Sequence, residues 1–222
     1  MSVKIFFCKC DEPWDEARVS VALAKLPAGI REKIARYKDP ADRQSRIQGK
    51  LLLMKMIEDF RLDLSLDNLE YTEFNKPYLG RDFDFSISHC ENLVVCAGAL
   101  CAKIGIDIEP VREIDINDYR QELTTGEWYL INHSKDASRA FLQTWTKKEA
   151  LLKATGRGID MDMSYIDVSN NVITVHKEHF SLFPVTYDES FVAHIALCID
   201  YNKMRAANVR FEMTTEAFDD IK

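Results

Sequence analysis

At 222 residues, 46% hydrophobic and 29% charged, the chain has the composition of a folded protein and the length for one large domain or two of about 100 residues each. A net charge of −7 excludes general nucleic-acid binding, so any anion must be bound locally. The only apolar run near Met1 is Ile5–Cys8, too short for a signal peptide or a spanning helix, which predicts a cytoplasmic protein with no membrane contact. The six cysteines show neither C-x-x-C pairing nor zinc spacing and read as reduced core thiols.

In chain order, Val3–Cys8 reads as a strand and Trp14–Leu26 as a helix closed by Pro27 and Gly29. Seven cations follow in twenty residues: Arg31, Lys33, Arg36, Lys38, Arg43, Arg46 and Lys50. The last three open a helix whose apolar stripe runs through Ile47, Leu51 and Met54 to Phe60, and the cations form either a solvated face or a phosphate-binding wall. A short strand at Leu69–Phe74 and a turn at Asn75-Lys76-Pro77 come next. Phe83, Phe85 and Ile87 then alternate with Asp84, Ser86 and Ser88 up to His89, and Leu93–Leu100 is more continuously apolar. With the following strand these predict a three-stranded antiparallel meander. Ser88 and His89 are neighbours on one strand and point to opposite faces, so they do not make a nucleophile–base pair; His89 is either structural or a phosphate contact.

The third strand, Ile104-Gly105-Ile106-Asp107-Ile108-Glu109-Pro110, places three isoleucines on one face and two carboxylates on the other. Like charges at that spacing repel unless a cation lies between them; an all-oxygen pair suits a hard divalent ion, and the alternative is a solvated strand face. Beyond Pro110 the chain is polar and irregular to Leu123. A helix starting near Asp136 or Ser138 brings Phe141, Leu142, Trp145 and Leu152 to one side, with Glu149 in the same stripe, Lys153 one turn on, and Gly156 and Gly158 at its end. Strands are expected at Tyr165–Val168, Val172–Val175, Phe191–Ile199 and Ala207–Met213, with Asn170-Asn171 as a hairpin turn.

Together Asn75-Lys76-Pro77, Phe85-Ser86-Ile87-Ser88-His89, Gly105-Ile106-Asp107-Ile108-Glu109 and Trp145-Thr146-Lys147-Lys148-Glu149-Ala150-Leu151-Leu152-Lys153 resemble the 4′-phosphopantetheinyl transferase superfamily. The likeness is to its larger monomeric class, typified by the surfactin-synthetase-activating enzyme. Three motifs depart from the family's usual form. Asn75 stands for Gly in G-K-P; Ser86 and Cys90 replace Asn and Ser in F-N-x-S-H-S; Ser45-Arg46 stands ahead of Gly49-Lys50.

The resemblance implies an α+β fold of two similar α/β halves, each an antiparallel sheet packed with helices and related by a pseudo-two-fold. The halves are 1–103, on the phosphate-binding side, and 104–222, carrying the metal site, with the active site between them. It implies transfer of 4′-phosphopantetheine from coenzyme A to a serine of an acyl or peptidyl carrier protein, releasing 3′,5′-ADP, by a monomer. The alternative is a coenzyme A or nucleotide binding module without turnover. By position in the motifs, Asp107, Glu109 and Glu149 are implied as Mg²⁺ ligands, and Lys76, Ser88, His89 and Lys153 as coenzyme A phosphate contacts. Arg43 and Arg46 are further candidates. Glu149 is the first candidate for the base, Glu127 the second, and Lys153 is placed to take developing negative charge. Carriers of the family are usually acidic, so docking is expected on a local patch, best represented by Asn117–Leu130 with Tyr119, Leu123, Trp128 and Tyr129.

Overall fold

The computed structural model describes residues 1–9, 12–158, 161–198 and 209–216; the expectations for Cys10, Ile199, Ala207 and Asn208 lie outside them. Strands β1 (Ser2–Lys9) and β5 (Leu93–Leu100) are apolar on both faces and therefore occupy the middle of a sheet ordered β10-β1-β5-β4. Its edges are β4 (Phe83–Cys90) and β10 (Arg210–Glu216). Phe6, Cys8, Val94 and Cys96 on one face pack beneath helix α3 (Pro40–Asp59), with α1 (Glu16–Ala24) and α2 (Ala28–Ala35) beside it. Val3, Ile5, Phe7 and Val95 on the other face meet Ile104, Ile106, Ile108 and Ile195 of a second sheet.

That second sheet runs β6-β9-β8-β7: β6 (Lys103–Pro110), β9 (Phe191–Cys198), β8 (Glu178–Val185) and β7 (Val172–Val175), antiparallel throughout. Its outer face is covered by helix α5 (Ala137–Thr155), which Asp136 caps by accepting from the Arg139 N–H and Gly156 ends at φ 72°. Gly105 sets how close the helix comes, since a Cβ there would lie 2.0 Å from the Ala150 carbonyl oxygen. The result is an α+β molecule of four layers, helix on sheet on sheet on helix. Helix α4 (Thr125–Asn132) packs against α5, and β2 (Glu70–Tyr71) with β3 (Pro77–Tyr78) forms a short ribbon over the first half. Among the described residues no helix is long and apolar enough to cross a membrane.

Several expectations change. β4 and β5 form a hairpin, but β6 is not their third strand: it joins the second sheet, so there is no meander. The first helix closes before Pro27, as α1, and Pro27 is the N-cap of an unforeseen second helix, α2. Tyr165–Val168 is not a strand, and the hairpin turn is His176-Lys177, both at positive φ, leading into the unforeseen β8. The chain passes from one sheet to the other just before Lys103, and β10 returns to pair in parallel with β1. The second half of the sequence therefore supplies an edge strand to the first half of the fold. Of the described cysteines, Cys8, Cys90 and Cys96 are buried, whereas Cys101 is exposed.

Candidate active site

The two sheets meet where the edge strands β4 and β6 run side by side. An edge strand has unpaired backbone N–H groups, and here the alternate side chains of β4 take them up. Asp84 accepts from the Ile104 N–H at 2.8 Å and Ser86 from the Ile106 N–H at 3.1 Å. One step further, Ser88 donates to Asp107 Oδ1 at 2.8 Å. The polar face of β4 is thus a seam between the halves. Ser86, standing where the family has Asn, closes the seam and also lines the cleft.

Lys76 seals one end of this seam. Its ammonium donates to Asp84 at 2.6 Å and to the carbonyls of Ile104 and Ala154 at 3.4 Å, and its methylenes lie against Gly156. The preceding Asn75 has φ 62°, a left-handed conformation that Asn tolerates better than most residues, so the turn survives loss of the family's glycine. Lys76, expected as a coenzyme A phosphate contact, lines the cleft with its charge paired to Asp84.

At the other end Lys153 reaches back from α5 and donates to Asp107 Oδ1 at 2.7 Å and to Ser88 Oγ at 2.9 Å. This pairing across the seam, rather than a bridge to Glu149, is where its charge goes. Asp107 Oδ2 is buried without a hydrogen-bond partner. Glu109 and Glu149 are half-buried nearby. Burial raises both carboxyl pKa values, the Asp107 charge raises them further, and Lys153 opposes the shift.

The donor set fits a hard divalent cation on two observations: an enclosed carboxylate oxygen with nothing to bond, and three mutually repelling carboxylates in partial burial. Among the described residues no three such side chains stand together as a ready-made metal cluster. Asp107 is instead neutralised by Lys153.

Facing this cluster is a cleft of about 1160 Å³ between α2–α3 on one side and α5 with residues 161–163 on the other. Lys33, Arg46, Lys50 and His89 line it; Arg43 does not, being paired with Glu16 at 3.2 Å. Arg46 lies over the Tyr37 ring at 3.7 Å and Lys33 over Tyr71 at 3.9 Å. Lys50 has no carboxylate partner among the described residues, and burial, then Arg46 and Lys33, push its pKa down despite a raising contribution from Cys96. The same pressure of burial and Arg46 lowers the His89 pKa, with Asp42 4.0 Å from its Nε2. Of the seven cations in the basic segment, three therefore face the cleft, a selection that spacing alone does not reveal.

Glu127 is elsewhere. It is 2% exposed and closes a capping box on α4 with Thr124; it also accepts from the Val168 N–H at 2.9 Å and pairs with Lys148 at 2.8 Å. Lys148 is 0% exposed and donates to the carbonyls of Met163 and Ile166. Every oxygen of Glu127 is occupied and it does not line the cleft, so its expected role as a base is replaced by a structural one. Likewise Leu123 is buried, and Tyr119 packs its ring on Phe141 and Trp145; within the expected docking region only Tyr129 and Leu130 are large exposed apolar residues.

His194 lies opposite Asp107 in the register of β6 and β9, with Nδ1 2.8 Å from Thr146 Oγ1. Burial, reinforced by Lys147, lowers its pKa from 6.5 to about 4, so the folded protein keeps the ring neutral. Its stabilising contribution is complete above pH 6.5 and is lost as pH falls through about 4. Urea unfolding is expected to show about 3 kcal/mol of acid destabilisation over that window, absent in His194→Asn. Parallel pH profiles of the two proteins would refute this.

Two family models match the chain in tandem: a 4′-phosphopantetheinyl transferase N-terminal model over residues 12–101 and a 4′-phosphopantetheinyl transferase superfamily model over residues 103–205. The chain belongs to the 4′-phosphopantetheinyl transferase superfamily. The tandem match places it in the superfamily's larger, two-half class. It is 27% identical over 183 residues to the 4′-phosphopantetheinyl transferase gsp of Aneurinibacillus migulanus, covering 80% of this chain and 76% of that protein. It is 25% identical over 206 residues to a 4′-phosphopantetheinyl transferase of Bacillus subtilis, covering 88% and 92%. To a phosphopantetheinyl transferase of a Thraustochytrium species it is 30% identical over 160 residues, covering 61% and 56%. For this superfamily member, the boundary between the two matched models falls beside the step from sheet to sheet at Lys103.

Proposed function

We propose that this chain transfers the 4′-phosphopantetheine arm of coenzyme A to a serine hydroxyl of an acyl or peptidyl carrier protein, releasing 3′,5′-ADP, with Mg²⁺ held by Asp107, Glu109 and Glu149. The observation that carries this reading is the Ser88–Asp107–Lys153 cluster, built across the seam and leaving Asp107 Oδ2 free. A coenzyme A binding module without turnover would need the cationic wall but not that cluster.

In the reaction the serine oxygen bonds to the β-phosphorus, the bond from phosphorus to the 3′,5′-ADP oxygen breaks, and the serine proton leaves. Mg²⁺ supplies charge neutralisation on the pyrophosphate. Lys33, Arg46 and Lys50 bind phosphate anions, and Lys50, having no carboxylate partner among the described residues, has the most to gain. Lys153 donates its N–H groups to negative charge as it develops on the pyrophosphate. Glu149, whose pKa is raised by burial and by Asp107, accepts the serine proton.

The direct test is the mass of an apo carrier protein after incubation with this chain, coenzyme A and Mg²⁺. It should rise by one phosphopantetheine, and an unchanged mass across acyl and peptidyl carriers would reject the reading. In the same assay Lys50→Met should raise KM for coenzyme A about tenfold with little change in kcat. A fall in kcat at unchanged KM would remove Lys50 from the binding wall.

A further inference from the structure

Glu122 follows the short 3-10 turn Ile116–Tyr119 and lines the same cleft as Gln121, Trp145 and Glu149. Its Oε2 is fully enclosed and has no hydrogen-bond partner. A carboxylate oxygen removed from water in this way is costly unless a donor arrives, and among the described residues none is there to supply it. The Tyr119 ring packs edge-on against Trp145 at 5.3 Å, which fixes this stretch at the Trp145 end of α5. Trp145 is one helical turn from Glu149, about 6 Å along the axis. Glu122 therefore lies beyond the carboxylate cluster, on the opposite side of the cleft from the cations of α2 and α3.

The two ends of the cleft differ in what they can bind. Phosphates are drawn to Lys33, Arg46 and Lys50 and repelled by Glu122. What is left of coenzyme A once its phosphates are placed is the adenosine, which 3′,5′-ADP also carries, and the arm, a chain with two amide N–H groups and a hydroxyl. The cleft suits such a chain: Trp145, Leu152 and Met163 of its lining are apolar, and Glu122 is an acceptor without a donor among the described residues.

We propose that Glu122 accepts a hydrogen bond from an N–H or O–H of the transferred arm and so positions it for attack. The proposal rests on the transferase reading and adds to it a substrate-positioning residue that also sets which way round the substrate enters. Binding of coenzyme A and of 3′,5′-ADP, which lacks the arm, separates the two. Measured by calorimetry in Mg²⁺ buffer, Glu122→Ala should weaken coenzyme A about tenfold and leave 3′,5′-ADP unchanged. Glu122→Gln, which keeps an acceptor oxygen, should recover most of the loss. Equal weakening of both compounds would make Glu122 a support of the wall and overturn the proposal. So would unchanged coenzyme A binding with a raised KM for the carrier. Failure of the wild-type chain to bind either compound would instead bring down the transferase reading, and this proposal with it.

Discussion

Asp107→Asn is expected to lower the rate of phosphopantetheine transfer by about a thousandfold or more while the protein stays folded. The substitution keeps the size of the side chain and an oxygen that can accept from Ser88. It removes the negative charge that Lys153 neutralises at 2.7 Å and that a cation would meet at the unpartnered Oδ2. Because Glu109 and Glu149 are held above the ordinary carboxylate pKa by burial and by Asp107, their repulsion is absent at low pH. It builds up as pH rises from the ordinary value through the raised one. Without metal the wild-type fold should therefore lose stability over that window, and Mg²⁺ should raise the melting temperature more at pH 7.5 than at pH 5. In Asp107→Asn that Mg²⁺ increment should largely vanish, while 3′,5′-ADP still binds through Lys50. Full activity of the variant, or of the wild type in excess EDTA, would end the assignment of a metal to this cluster.

The parts of the site legible in the sequence are those set by local periodicity. Alternation alone put Asp107 and Glu109 opposite three isoleucines, and Asp136 and Gly156 mark the ends of α5 by capping chemistry that acts within one turn. What stayed hidden depends on contacts distant in sequence. The alternation of β4 shows that Asp84, Ser86 and Ser88 share a face but not what they meet, and only the approach of β6 makes them the partners of an edge strand. Lys153 lies four residues after Glu149, a spacing that permits a helical ion pair, yet its partner comes from a strand. β10 beside β1 joins residues some two hundred positions apart, which no window of sequence can pair. Two residues of the expected docking region are hidden for a related reason: Leu123 lies in the core beside α5 and Tyr119 packs against it, although both have polar neighbours in sequence.

Lys148→Met is expected to cost about 3–5 kcal/mol of stability in urea unfolding, the largest effect on folding predicted for any single charge here. Within Trp145-Thr146-Lys147-Lys148-Glu149 it is the lysine, not the glutamate, that sits fully inside, at 0% exposure against the 2% of Glu127. Its ammonium ties Glu127 to the carbonyls of Met163 and Ile166, at 2.7 Å and 2.5 Å. The segment so held supplies Met161–Met163 to the cleft wall. Methionine fills the space but leaves a buried carboxylate without its cation and two carbonyls without a donor, each of them expensive. Replacing both charges, Glu127→Gln with Lys148→Met, should recover a good part of the loss, because the penalty lies in the orphaned partner more than in the missing attraction. The same pair separates support from chemistry for Glu127. If Glu127 only holds the wall, Glu127→Gln lowers the melting temperature and raises KM for coenzyme A, but assayed well below that temperature it keeps kcat within a few-fold of the wild type. A collapse of kcat by two orders of magnitude in a variant that melts like the wild type would return Glu127 to the role of base.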